Sequence, residues 1–163
     1  MAKVVYPLQQ VLQVKQRRVE DAERVVADKK LALEREKETL AKREAERDKV
    51  LEHLKAKMDQ MRYEMDHGTT SPKILQMKVY IKIVQERLKV EEKKVADQKE
   101  QVTVAEKNLE IAKEELKRKR QEVDKLMTHR KDWLQELKKE EEIIEGREQD
   151  ELGSVMYMIH QRK

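Results

Sequence analysis

The chain has no cysteine and no phenylalanine, and its 163 residues include only three glycines, two prolines and one tryptophan. Without cysteine there is no disulfide framework and no thiolate chemistry, a composition compatible with a reducing compartment. So few glycines and prolines leave little room for tight turns, which argues against a β-sandwich or an α/β fold. No apolar run approaches the ~20 residues that would span a bilayer, so no direct membrane insertion is expected. The opening Met1-Ala2-Lys3-Val4-Val5-Tyr6-Pro7 has no apolar core of signal-peptide length. Leu, Ile and Val together number 38, near the level at which a chain cannot bury enough to fold as a globule. A long helical rod or a disordered chain remains, and periodicity decides between them.

Charge of both signs is abundant. Charged residues make up 44% of the chain, and 38 Lys and Arg against 34 Asp and Glu leave a net charge of +4. The signs are mixed throughout, which keeps a rod soluble and does not point to nucleic acid. The most basic run, Lys117-Arg118-Lys119-Arg120, is flanked by Glu114, Glu115, Glu122 and Asp124, with no aromatic interleaved to stack on bases. It reads as a solvated helix face.

Steps of seven from Leu12 meet Val19, Val26, Leu33, Leu40, Arg47, Leu54 and Met61, apolar at all but Arg47. Steps of seven from Ile74 meet Ile81, Leu88, Val95, Val102, Leu109, Leu116 and Val123, all apolar, then Arg130, Leu137 and Ile144. A companion row three residues on holds Met77, Val84, Glu91, Gln98, Ala105, Ala112, Lys119, Leu126 and Trp133. This 3-4 spacing, sustained over many heptads, predicts a left-handed coiled coil. The companion row of the first series (Lys15, Ala22, Lys29, Glu36, Arg43, Val50, Lys57) is more polar. It suits a thin two-stranded seam whose edge is covered by the aliphatic stems of charged side chains.

Glycine, proline and small polar residues cluster at one place, His67-Gly68-Thr69-Thr70-Ser71-Pro72. Gly68 can end a helix in the left-handed conformation, and Ser71 can cap the next one with Pro72 in its first turn. So short a loop makes the two helices antiparallel neighbours. The expected fold is all-α: one domain over 1–163, with a helix over about 7–66, a turn at 67–72 and a helix over about 73–145. Gly146 and Gly153 interrupt the pattern in a C-terminal segment, 146–163, whose order the sequence leaves open. In the matching register, facing residues have numbers summing to about 138, and the exceptions Arg47 and Glu91 face each other as a register pair. The second helix then overhangs the first and carries Trp133, Leu134, Leu137, Ile143, Ile144 and the apolar residues from Leu152 to Ile159.

An off-seam line on the second helix, Ile83, Val90, Val104 and Ile111, is interrupted by Asp97, with Val79 and Tyr80 nearby. Scattered surface residues and a docking stripe both fit it. Catalytic machinery is not recognisable. The histidines at 53, 67, 129 and 160 lack a ligand partner at metal spacing, although His129 with Asp132 or Glu136 makes a weak set, and no phosphate loop or nucleophile elbow occurs. A two-helix rod offers no dry pocket to perturb carboxylates. No enzymatic activity, cofactor or metal is expected.

The opening Tyr6-Pro7-Leu8-Gln9-Gln10-Val11-Leu12-Gln13-Val14-Lys15, followed by Arg18-Val19-Glu20-Asp21-Ala22-Glu23, resembles the start of the YscO/FliJ family of bacterial type III secretion and flagellar export, closest to its chlamydial YscO-like members. Chain length, hairpin, mid-chain loop and a lone C-terminal-half tryptophan agree. The resemblance implies a non-enzymatic central stalk that links the hexameric secretion ATPase to the export gate and in some members binds export chaperones. It implies a place in the bacterial cytoplasm, peripheral at the inner-membrane export apparatus. By analogy with a rotary-ATPase stalk, the open end would meet the ATPase through Tyr6, Leu8, Val11, Trp133 and Leu137. The gate or chaperone surface would lie early in the second helix, where position alone suggests Lys73, Met77, Tyr80 and Ile83. The alternative is a structural coiled coil that dimerises through the outer apolar stripe.

Overall fold

The computed structural model describes residues 4–162; Met1, Ala2 and Lys3 of the opening segment, and Lys163, lie outside it. Two helices account for nearly all of it, α1 (Gln9–His67, 59 residues) and α2 (Ser71–Gln161, 91 residues), with no strand among the described residues. They pack against each other as a helical hairpin. The helices are rich in Glu, Lys, Arg, Gln, Leu and Ala, which lose little on adopting this conformation. Exposed pairs within α2, such as Arg118–Glu115 at 3.4 Å and Lys113–Glu110 at 3.8 Å, add a few tenths of a kcal/mol each, on the order of 0.3.

The chain divides into two compact units. One is Arg24–Glu114; the other combines the chain up to Glu23 with the chain from Glu115. A two-helix seam brings each side chain against those directly across from it, so contacts group locally.

In the Arg24–Glu114 unit, Val50, Leu54, Ile81 and Val84 form a buried cluster, with Met58, Met61 and Leu88 packed on it. Farther from the turn, Val26, Val95, Val102, Leu109 and Ala112 are buried. Each buried Val or Leu contributes on the order of 1.5–3 kcal/mol. Gly68 has φ +90°, the left-handed conformation expected of it at the end of α1. Cap assignment differs by one residue from the expectation. The Thr70 carbonyl accepts the first bond of α2, from the Ile74 amide at 3.2 Å, so Thr70 stands at the cap and Ser71 is already helical. Pro72 remains in the first turn, where its missing N–H leaves no helical bond unmade.

Arg47 and Glu91 do not form the expected pair. Arg47 places its guanidinium on Asp48, with Nη2 at 3.1 Å, while Glu91 Oε1 lies 3.5 Å from Lys94 Nζ. Asp48 stands at the solvent-facing edge, so turning outward lets Arg47 keep its charge hydrated instead of carrying it into the seam. Glu91 Oε2 is buried without a hydrogen-bond partner. The polar exceptions that do meet are Gln98 and Glu36: the Gln98 amide donates to the Glu36 main-chain carbonyl at 3.0 Å and to its carboxylate.

In the other unit, Leu12 is fully buried and Ala22, Leu116 and Val123 are buried with it. Lys15–Glu122 at 3.3 Å and Arg120–Glu23 at 3.2 Å bridge the two helices at the seam's edge. The first helix begins two residues later than expected, because Tyr6 and Pro7 form a turn closed by the Gln9 amide on the Tyr6 carbonyl at 3.0 Å. The second helix does not stop at 145 but runs through Gly146 and Gly153 to Gln161. A helical glycine costs only ~1 kcal/mol relative to alanine, and the surrounding Glu, Arg, Gln, Leu and Met favour the helix.

Candidate protein-docking sites

At the N-terminal end of α1, Tyr6 is buried to 4% exposure against α2. Its ring lies 5.5 Å from Trp133 and 5.7 Å from His129, both tilted, and its hydroxyl hydrogen-bonds His129 Nδ1. Tilted aromatic pairs at this spacing add ~0.5–1.5 kcal/mol beyond the area they bury. Pro7 fixes the turn that aims Tyr6 inward, and α2 holds Trp133 one turn beyond His129. Of the five residues expected here, Tyr6 is buried, Trp133 and Leu137 are half-buried, and Leu8 and Val11 are exposed. Leu134 is exposed beside them in sequence, as are Ile143, Ile144 and the apolar residues from Leu152 to Ile159. Structure thus joins Tyr6 to Trp133 and leaves Leu8, Val11 and Leu134 exposed. His129, read from sequence as a solvated histidine, supports the tyrosine.

Early in α2, in the Arg24–Glu114 unit, Met77 is half-buried while Tyr80 and Ile83 are exposed. Tyr80 is held by α1. Its hydroxyl is 2.8 Å from His53 Nε2, the two rings meet edge to face at 5.9 Å, and Lys57 Nζ lies 5.6 Å from its ring centre. A shallow recess beside it is walled by Lys57, Gln60, Gln76, Met77, Tyr80 and Ile81. Its other side is an apolar groove of Leu75, Val79, Tyr80 and Ile83. Leu75 escaped the sequence reading because it belongs to neither seam row. The Tyr80–His53 contact had a legible signal, since the two numbers fall close to the register sum.

No group of three or more His, Asp or Glu able to hold a metal occurs among the described residues. Among the described residues no helix is long and apolar enough to cross a membrane.

Comparison with known proteins agrees with the fold. A family model described as YscO-like protein matches residues 3–163. The chain is similar to the solved structure of CT670 from Chlamydia trachomatis, described as a YscO homolog, with 47% identity, 99% of each chain covered and a TM-score of 0.92. It also matches a chain in the structure of the CdsV and CdsO complex of Chlamydia pneumoniae, with 51% identity over 51% of this chain and 96% of that one and a TM-score of 0.49. No curated protein sequence matches significantly. With a family model spanning nearly its whole length, and the hairpin that its heptads predict, the chain belongs to the YscO-like family of bacterial type III secretion.

Proposed function

We propose that this protein is the central stalk of a type III secretion system, a non-enzymatic link between the hexameric secretion ATPase and the export gate at the cytoplasmic side of the inner membrane. Family membership supports the assignment to secretion. One observation carries the contact with the ATPase: Tyr6 is ordered on Trp133 at the N-terminal end of α1, and in the helical turns that follow it the apolar side chains of Leu8 and Val11 stand exposed. A rigid, pre-ordered apolar rim loses little entropy on docking, which is what a tight protein contact needs. Leu137 extends the same face along α2. The gate, or an export chaperone, would be received by Met77, Tyr80 and Ile83, where α1 steadies an exposed tyrosine through His53 and Lys57. A tyrosine fixed by its hydroxyl presents a large contact area at low entropic cost.

Isothermal titration against the cognate secretion ATPase tests the first contact. The full chain is expected to bind, and Leu8→Glu/Val11→Glu, which changes only exposed positions, to weaken binding at least about tenfold. No binding with or without nucleotide, or undiminished binding by the double variant, would sink the assignment.

A further inference from the structure

The cations of α2 in the unit that contains Tyr6 fall into two sets. In the run Lys117–Arg120, Arg118 and Lys119 reach Glu115, and Arg120 crosses the seam to Glu23 of α1 at 3.2 Å. Farther along, Arg130, Lys131 and Lys138 form no ion pair among the described residues. The reason is legible in α1. Steps of seven back from Glu23 meet Gln16 and Gln9, so the flank that gives Arg120 a carboxylate has none for the cations that follow.

These three cations bracket an apolar pair. Met127 and Leu134 stand one residue past the seam positions Leu126 and Trp133, in the row that contains Arg120. Both are exposed, by 48% and 43%. Arg130 lies three residues on from Met127, on the seam side. Lys131 and Lys138 lie four residues on from Met127 and Leu134, on the solvent side. All five wall one shallow recess along α2. From Met127 to Lys138 the stripe is about 16 Å long at ~1.5 Å per residue. Carboxylates close both ends of it: Asp124 precedes Lys131 in one row, and Glu141 follows Leu134 in the other, both exposed.

An occupant must answer each of these features. Uncommitted cations on both sides call for carboxylates on both sides. Met127 and Leu134, seven apart, call for apolar side chains at helical spacing between those carboxylates, since a purely acidic segment would leave the pair in water. The width of the stripe suits one helix, ~10 Å across. An anionic bilayer is broader than the stripe and would bring its headgroups against Asp124 and Glu141. We propose that the Met127–Lys138 stripe docks an acidic amphipathic helix of another protein, laid along α2 as a third strand. The inference rests on this stripe alone and does not depend on the stalk assignment.

Three designed helical peptides of three heptads each serve as probes of the full chain at low salt: leucines every seven residues flanked by glutamates, the same with lysine for glutamate, and the acidic one with serine for leucine. Fluorescence anisotropy should show the acidic leucine peptide binding at least about tenfold more tightly than either of the others. Lys131→Glu/Lys138→Glu should weaken that binding at least about tenfold and raise affinity for the lysine peptide. Lys93→Glu/Lys107→Glu makes the same change of net charge in the Arg24–Glu114 unit and should alter it less than about twofold. All four lysines are exposed, so circular dichroism should show unchanged helix. The proposal is overturned by no binding of the acidic leucine peptide at about 1 mM, by equal binding of the serine peptide, or by equal losses from the two double variants. Phosphatidylglycerol vesicles that bind the chain and lose it on Lys131→Glu/Lys138→Glu would assign the stripe to a membrane surface and likewise overturn it.

Discussion

Gln98 of α2 donates its side-chain amide to both the main-chain carbonyl and the carboxylate of Glu36 in α1. Gln98 is 6% exposed, the one buried polar residue among those described. A polar group there is costly unless paired, and the pairing is specific. A slip of one heptad in α1 would present Lys29 or Arg43 to the Gln98 amide, and neither side chain has an acceptor. Gln98→Ala is therefore expected to lower the unfolding free energy by about 1–2 kcal/mol. Urea denaturation followed by circular dichroism measures this, with the slope unchanged.

The tyrosine at the N-terminal end of α1 should matter through its ring more than its hydroxyl. Tyr6→Phe removes the bond to His129 and keeps the contact with Trp133, for a loss of about 1 kcal/mol. Tyr6→Ala removes both and should cost about 3 kcal/mol. Trp133 is the only tryptophan, so its fluorescence reports this unit: the alanine variant should shift the emission to the red and the phenylalanine variant should not.

Leu54 sits at the centre of the cluster with Val50, Ile81 and Val84. Leu54→Ala should destabilise by about 2–3 kcal/mol, the lower part of the usual range, because the flexible Met58 and Met61 can move into the space. Thermal unfolding by circular dichroism checks the loss.

The three glycines should respond with opposite signs. A Cβ at Gly146 or Gly153 meets nothing within 4 Å, and both are helical, so alanine there should stabilise the end of α2 by about 0.5–1 kcal/mol each. Gly68 also has open space, but its φ of +90° penalises any Cβ, and Gly68→Ala should destabilise by about 1–2 kcal/mol. Amide hydrogen exchange separates the two outcomes: slower exchange around 146–157 in the first case, faster exchange around the turn in the second.

The seam was legible because one physical requirement wrote it. Every residue in the four heptad rows over Leu12–Met61 and Ile74–Leu137 is buried or half-buried, while the line from Ile83 to Ile111 is exposed throughout. Gly68 was legible for the same reason, since only a left-handed residue closes that turn cheaply. The polar contacts were not. Arg47 and Glu91 stand opposite each other by count, yet Asp48 takes the guanidinium, because long side chains choose among several neighbours and solvent rewards the outer one. Gln98 and Glu36 lie four short of the register sum and meet only because both side chains reach along the seam. The continuation of α2 past Gly146 was hidden because a glycine signals an end only where the chain must turn.

A two-stranded seam also decides how perturbations combine. Side chains fourteen residues apart on one helix are separated by about 21 Å, well past the distance at which substitutions influence one another. Leu54 packs in one cluster with Val84, fourteen residues before Gln98 on α2, so damage at Leu54 and damage at Gln98 should simply sum, and a loss in one heptad can be offset by a gain in another. Tolerance to change in this molecule is modular, and each heptad can drift in sequence on its own so long as its own inward pair is kept.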